Sequence, residues 1–373
     1  MIPITRPWVG DEEAAAAAEA VRSGWLSQGA RVQAFEHEIA RYVGVRHAVA
    51  TTNCTTALHL ALIAAGVGPG DEVICPSFSF IATANAIVHA GATPVFVDIE
   101  PSSYTIDPRL VETAVTPRTK AIMPVDQIGL AADLPAIQAI AARHRLTVVE
   151  DAAPALGATV GEARVGSMAE FTCFSFHPRK SITTGEGGVI TTDNDAAAAR
   201  LRRLRSHGAS VSDLARHQSG TTEIETYAEL GYNYRMTDVQ AAVGLVQLGK
   251  LEQVLLARRR LAVRYNAAFA GDQRLQTPSE PSGRRHTYQS YCVRLRGSRP
   301  RAAIMAELAE HGIATRRGVM AIHLEPYYRE RQPALRLPET ERATEETLLL
   351  PLYVGMTDDE QERVISALLT ALG

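Results

Sequence analysis

Lysine is almost missing from this chain: of 38 basic residues only Lys120, Lys180 and Lys250 are lysines. Arginine supplies nearly all of the positive charge, so a lysine in a loop of small residues has a use other than charge. An amine can lose its proton and attack a carbonyl, whereas a guanidinium stays protonated near neutral pH. Lys180 stands in such a loop, Ser175-Phe176-His177-Pro178-Arg179-Lys180-Ser181-Ile182-Thr183-Thr184-Gly185-Glu186-Gly187-Gly188, and is the first candidate for a Schiff-base lysine. Cysteine is scarce as well. Cys54, Cys75, Cys173 and Cys292 are far apart and follow no metal-ligand spacing, which fits reduced thiols in a cytoplasmic protein. Excess charge of one sign is also lacking. A net charge of -3 gives no overall attraction to nucleic acid or an anionic membrane, and leaves room for a local basic pocket. The N-terminus, Met1 to Pro7, has no apolar signal core, and the alanine run from Ala14 to Ala18 is short and ends at Glu19. No export signal or membrane span is expected.

What is present describes an ordinary globular protein, with 46% hydrophobic and 21% charged residues. At 373 residues the chain exceeds what one core usually serves, and two domains are expected, 1–250 and 251–373. From about residue 46, short β-rich runs alternate with helical patterns, the signature of an α/β fold with a mostly parallel sheet. Ala48 to Thr52, Val73 to Cys75, Pro94 to Val97, Ala121 to Met123, Leu146 to Val149, Phe171 to Phe176 and Val189 to Thr192 read as strands. Helices are expected after Asn53, near Ala82 to His89, and from Leu134 to His144. A long helical pattern begins near Asp238 and leads into the second domain; on it, Arg258 to Arg260 reads as a solvated face. Beyond it come a strand from Gln289 to Leu295, a helix from Arg301 to His311, and a terminal helix from Asp358 to Leu372 started by Thr357. Leu275 to Gly283, with two prolines, reads as a flexible turn.

An imine-forming lysine needs an anchor for its aldehyde cofactor and a group that controls the cofactor's electronics. Asn53-Cys54-Thr55-Thr56 puts hydroxyls and backbone N–H groups at a positive helix end, where a phosphate can be held, and Ser175 can add a hydroxyl. Asn53 or Thr55 also reads simply as a helix cap. Asp151, at the end of an apolar strand, needs a cationic or hydrogen-bonding partner, which a pyridinium nitrogen would supply. It also reads as a strand-end turn cap. Phe80 could stack on a pyridine face or belong to the core. His59, His89 and His177 show no metal-ligand spacing, and no metal is assigned.

These residues carry a resemblance over essentially the full length to the DegT/DnrJ/EryC1/StrS aminotransferases, sugar aminotransferases among the fold-type I pyridoxal 5'-phosphate (PLP) enzymes. The matching pieces include Gly24-Trp25-Leu26-Ser27-Gln28-Gly29, Thr55 to Leu62, Phe80 to Ile87, Pro94 to Asp98, Glu150-Asp151-Ala152-Ala153, the lysine loop, Gly231-Tyr232-Asn233-Tyr234-Arg235, and Leu350 to Tyr353. The resemblance implies a large domain with a seven-stranded, mostly parallel sheet flanked by helices, plus a smaller α+β C-terminal domain. It further implies that Lys180 forms the Schiff base with PLP, that Asp151 pairs with the pyridine nitrogen, that Thr55, Thr56 and Ser175 hold the phosphate, and that Phe80 stacks on the ring. Asn233 resembles the residue that reaches the phosphate of a neighbouring subunit, implying a homodimer. Two positions depart from the pattern. Cys54 stands where glycine is frequent, and Pro154 stands where many relatives carry Gln or His near the ring oxygen; Gln127 is a candidate to take that second role.

The implied activity is transfer of an amino group from L-glutamate, or another amino acid, to a keto group of a nucleotide-linked sugar, with pyridoxamine phosphate as the other cofactor form. Arg235, Arg316 and Arg317 are candidates for donor carboxylate or sugar diphosphate, and Arg316 to His323 for shaping the cleft. The alternatives are a keto-cyclitol acceptor and a non-catalytic PLP-fold regulator. Dehydrating relatives replace the lysine, which Lys180 argues against. A dinucleotide fold is excluded because Gly66 to Gly70 follows a helix and not a strand.

Overall fold

The computed structural model describes residues 1–211 and 224–373. The first strands along the chain are β1 (His47–Thr51), β2 (Glu72–Pro76), β3 (Thr93–Val97), β4 (Thr119–Ile122) and β5 (Thr147–Asp151). After two short strands, β6 (Thr159–Val160) and β7 (Ala163–Arg164), come β8 (Phe171–Ser175) and β9 (Gly188–Thr192). Seven of them form one sheet in the order β1-β9-β8-β5-β4-β2-β3. Pairing is parallel from β3 across to β8, and antiparallel on both sides of β9. Only β9 therefore runs against the rest, and the expected mostly parallel sheet is observed. Its β-branched runs, such as Val148-Val149 and Val189-Ile190, are buried, as suits strands covered on both faces.

This topology brings the carboxyl ends of β1, β2, β5 and β8 to one edge of the sheet, where ligands of open α/β sheets gather. The helix Cys54–Ala64 leaves β1 at that edge with Asn53 as its cap, the Asn53 side chain accepting from Thr56 N at 3.0 Å. Its expected apolar stripe is wider than the sequence pattern indicates. Residues Ala57 to Leu62 are all buried, because the helix lies between the sheet and the helix Ala82–His89. Each buried leucine there contributes about 1.5–3 kcal/mol.

The helix Asp238–Ala268 starts from a capping box, Thr237 with Gln240. Asp238 itself is buried and its carboxylate accepts from Gly29 N at 2.8 Å and Val32 N at 3.0 Å, fixing the start of the helix Ala30–Val43. Near its start this helix packs against the large sheet's core through Ala241 and Leu251; further on, Leu261 and Tyr265 join a second core. That core covers an antiparallel sheet of β10 (Leu275–Gln276), β12 (Tyr291–Leu295), β13 (Arg316–Arg317) and β14 (Thr347–Leu350), in the order β10-β12-β14-β13. The N-terminal Ile2 also belongs to it. The remaining strand, β11 (Arg284–Arg285), pairs with β6 in a small three-stranded ribbon.

Two sequence expectations are corrected. Arg258 is not on a solvated face: it is 2% exposed and donates to the carbonyl of Gln289 at 2.7 Å, its charge held between backbone carbonyls that no sequence pattern announces. Burial pushes its pKa down to about 10. Its neighbour Arg259 pairs with Glu280. The turn from Leu275 to Gly283 is not wholly irregular either, since Leu275 and Gln276 pair with Leu295 and Arg294.

Candidate active site

A cavity of about 770 Å³ opens at the shared carboxyl edge of the sheet. Its walls include Asn53 to Thr56 after β1, Phe80 after β2, Asp151 at the end of β5, Ser175 at the end of β8, and His177, Arg179 and Lys180 beyond it. Of the predicted site residues, Lys180, Asp151, Thr55, Thr56, Phe80 and Ser175 are thus brought together. Asn233 is not on this wall; it is exposed and pairs with Ser206 in an isolated bridge.

Lys180 is half-buried, and among the described residues its amine has no hydrogen-bonding or ionic partner. Burial pushes its pKa down, assisted by Arg179 and opposed by Cys54 and Asp151. A lowered value leaves more of the amine unprotonated, the form that attacks a carbonyl.

Asp151 is 5% exposed. Its Oδ2 accepts from Thr83 Oγ1 at 2.7 Å, and its Oδ1 from Ala153 N at 3.2 Å. Thr83 is in turn linked to Ser79 at 2.7 Å. Burial pushes the Asp151 pKa up, and these two hydrogen bonds together with the Lys180 charge pull it back. Among the described residues no cation pairs with it directly, so a cationic ligand nitrogen fits there.

Phe80 is 59% exposed although it is a large aromatic on a cavity wall, while its neighbour Phe78 is buried. An uncovered ring face of this kind suits stacking on a planar ligand. At the helix start, Asn53 serves as the cap by bonding the N–H of Thr56, so the cap and phosphate readings hold together. The N–H groups of Cys54 and Thr55 remain for an anion, as does the Thr55 hydroxyl. The Thr56 hydroxyl, by contrast, is committed to the carbonyl of Asn53 at 2.8 Å. A lysine without a partner, a buried carboxylate without a cation, an uncovered aromatic face and an open helix end are the donor set that PLP requires.

Gln127 lies on the wall, but its side-chain amide donates to the carbonyl of Phe78. Arg235 lines a separate small pocket with Ser206 and His207, and Arg316 and Arg317 are exposed on β13. Sequence reading missed Arg179, which lines the cavity beside Lys180 and has no carboxylate partner among the described residues. Its position next to the singled-out lysine was the available signal. Thr83 and the N-terminal residues Ile4 and Thr5 were also missed; only the tertiary fold puts them here.

Gly188 shows how tightly the edge is built. A Cβ there would sit 2.4 Å from the Asn53 carbonyl carbon and oxygen. Gly188→Ala is expected to destabilise the fold by about 1–3 kcal/mol and to weaken cofactor binding by displacing the loop Asn53 to Thr56. Denaturant melts with and without PLP check both; an unchanged midpoint would mean that β1 and β9 can separate freely.

The fold and these side chains define a pyridoxal-phosphate-dependent transferase of fold type I. The chain belongs to the DegT/DnrJ/EryC1/StrS aminotransferase family, which it matches over residues 7–369. It is 41% identical over 372 residues to the spore coat polysaccharide biosynthesis protein SpsC of Bacillus subtilis (strain 168), covering 98% of this chain and 96% of that one. Among solved structures it is similar to the putative sugar aminotransferase Spr1654 of Streptococcus pneumoniae in its PMP form (TM-score 0.93, 30% identity, 100% of this chain and 99% of that chain). It is also similar to PseC of Helicobacter pylori, an aminotransferase involved in pseudoaminic acid biosynthesis (TM-score 0.92, 26% identity, 100% and 99%). The protein is a PLP-dependent sugar aminotransferase, and the non-catalytic reading is set aside.

Proposed function

We propose that this enzyme takes the amino group of L-glutamate and places it on the keto carbon of a nucleotide-linked sugar. The observation that carries this is one cavity in which Lys180, Asp151, Phe80 and the open helix end meet, beside Arg179, which has no carboxylate partner among the described residues. At about 770 Å³ it lies toward the upper end of the ~300–1,000 Å³ range of small-molecule sites, so a second ligand has room beside the cofactor. SpsC, named for spore coat polysaccharide biosynthesis, and Spr1654, described as a putative sugar aminotransferase, support a sugar acceptor.

In this reading PLP, when bound, supplies an aldehyde and an electron-accepting ring. Cys54 and Thr55 N–H groups with the Thr55 and Ser175 hydroxyls hold its phosphate, with Thr56 setting the loop through its bond to Asn53. Phe80 covers one face of the ring, and Asp151 keeps the ring nitrogen protonated, itself oriented by Thr83. Lys180 would take the proton from the donor carbon at Nζ and deliver it on the cofactor side, and would move a proton in the opposite sense onto the sugar carbon in the second half-reaction. Arg179 offers a forked donor to a carboxylate or diphosphate at the mouth.

The active unit in this proposal is a homodimer. Asn233 stands exposed and away from its own cavity, near exposed Tyr227 and Leu230, which suits a residue that serves a partner's site.

The test is stepwise. PLP-loaded protein mixed with L-glutamate alone should release one equivalent of 2-oxoglutarate as the cofactor absorbance shifts; no 2-oxoglutarate would remove glutamate as donor. The aminated form is then offered nucleotide-linked keto-sugars and keto-cyclitols in parallel. Regeneration of the starting absorbance by the cyclitols alone would replace the proposed acceptor.

A further inference from the structure

Directly behind Asp151 lie two carboxyls that the chemistry above does not use. Asp126, in the segment after β4, and Glu150, on β5, are both 0% exposed, and among the described residues neither has an ion-pair partner. One oxygen of each is satisfied conventionally: Asp126 Oδ1 accepts from Ala132 N at 2.9 Å, and Glu150 Oε2 from Thr172 Oγ1 at 2.6 Å. The other oxygens, Asp126 Oδ2 and Glu150 Oε1, find no donor among the described residues, and the two carboxyls act on each other's charge across the junction of their segments. Two carboxylate oxygens cannot bond without a proton between them, and two buried negative charges side by side are strongly disfavoured.

The segment bearing Asp126 is also the one against which Asp151 is set. Asp126 N donates to the Asp151 carbonyl at 3.0 Å, and Asp151 N donates to the Pro124 carbonyl at 2.9 Å. Val125 and Asp151 form an isolated parallel bridge that extends the β4–β5 pairing beyond the strand ends. A side-chain link between Asp126 and Glu150 therefore closes the same junction that the backbone bonds begin.

We propose that Asp126 and Glu150 share a single proton and form a positioning pair that locks the carboxyl end of β5, and with it Asp151, against the segment after β4. The pair carries one negative charge and not two, so Asp151 faces a fixed field. Burial first, and the Glu150 charge next, push Asp126 well above the usual carboxylate range, which favours a proton held within the pair. Burial also pushes Glu150 up, against the pull of Thr172 and Asp126. The other ionisable group acting on both is Asp151, and the Cys173 thiol on β8 also interacts with Glu150; the neighbouring elements otherwise present the Thr172 hydroxyl and the Ala132 and Gly166 N–H groups.

A carboxyl with a raised folded-state pKa gives stability that is full below its unfolded value and is lost as pH rises through the folded value. Asn at position 126 cannot titrate, and its amide can donate to Glu150 in place of the shared proton. The proposal rests on Asp151 as the partner of the ring nitrogen, but proton sharing is read without reference to turnover, so the two can fail separately.

The experiment compares PLP-loaded wild type, Asp126→Asn, Glu150→Gln and Asp126→Ala. Infrared spectra at mildly alkaline pD should show a protonated carboxyl stretch in the wild type that disappears in both Asp126→Asn and Glu150→Gln. Between about pH 6 and about pH 9 the folding equilibrium of wild type should fall relative to that of Asp126→Asn by up to about tenfold per pH unit. Asp126→Ala should bind PLP about tenfold or more weakly, through an unsatisfied Glu150 and a loosened Asp151, and Asp126→Asn should restore most of that loss. A wild type without the infrared band, a band that survives both substitutions, or a pH-independent difference in stability would overturn proton sharing. Equal PLP affinity in Asp126→Ala and wild type would overturn positioning, even with the band present.

Discussion

Lys180→Ala is expected to slow transamination by about four orders of magnitude or more while changing the melting temperature little. Both halves follow from the position of the side chain. In the proposed function the amine has two tasks, nucleophile toward the cofactor aldehyde and carrier of the substrate proton, and no second lysine is available, Lys120 and Lys250 both lying off the cavity wall. Lys250 is held by Glu12 and Glu13. The folded state, in contrast, asks little of Lys180. It is half-buried and has no polar partner among the described residues, so truncation removes no hydrogen bond or ion pair to them. Steady-state formation of 2-oxoglutarate, beside a thermal melt, separates the two effects. Activity within tenfold of wild type would remove Lys180 from both tasks, and a collapsed melt would make the loss of activity uninformative.

The sequence is most legible where chemistry and local structure coincide. Lys180 stands out because lysine is rare and its loop is rich in glycine and hydroxyls; Asp151 stands out because a carboxylate ends an apolar strand. The terminal helix, Asp358–Leu372 capped by Thr357, is legible because its cap and period agree. Other features depend on distant partners. The reversal of β9 follows from its insertion between β1 and β8, which no local pattern encodes. Arg258 carries the same local signal as its neighbours, and only its meeting with the Gln289 carbonyl buries it. Thr83, one residue on a short helix, becomes the support of Asp151 through a contact 68 positions away. The family resemblance reaches further than the residue patterns did, since the grouping of Thr55, Phe80, Asp151 and Ser175 is observed around one cavity.

Asp151→Asn separates what the active site needs from what the fold prefers. In the cofactor-free protein, burial pushes the Asp151 pKa up, so near neutral pH its charge opposes folding; the stability it gives is present below the ordinary carboxylate range and is lost as pH rises through the folded value. Asparagine carries no such charge. Its single oxygen can still accept from Thr83, although it cannot also serve Ala153 N as the carboxylate does. Cofactor-free Asp151→Asn is therefore expected to melt no lower than wild type at mildly alkaline pH. With PLP bound the order is expected to reverse, because in the proposed function the carboxylate then pairs with a buried cationic nitrogen, and breaking a buried pair costs about 3–5 kcal/mol. The same loss falls on the reaction: a ring nitrogen without its carboxylate accepts electrons poorly, and turnover should drop by about a thousandfold. Melting curves of both proteins with and without PLP, alongside initial rates, check each part. A variant that loses stability without cofactor as much as with it would make Asp151 a structural residue; one that keeps full activity would move the control of the ring nitrogen elsewhere in the cavity.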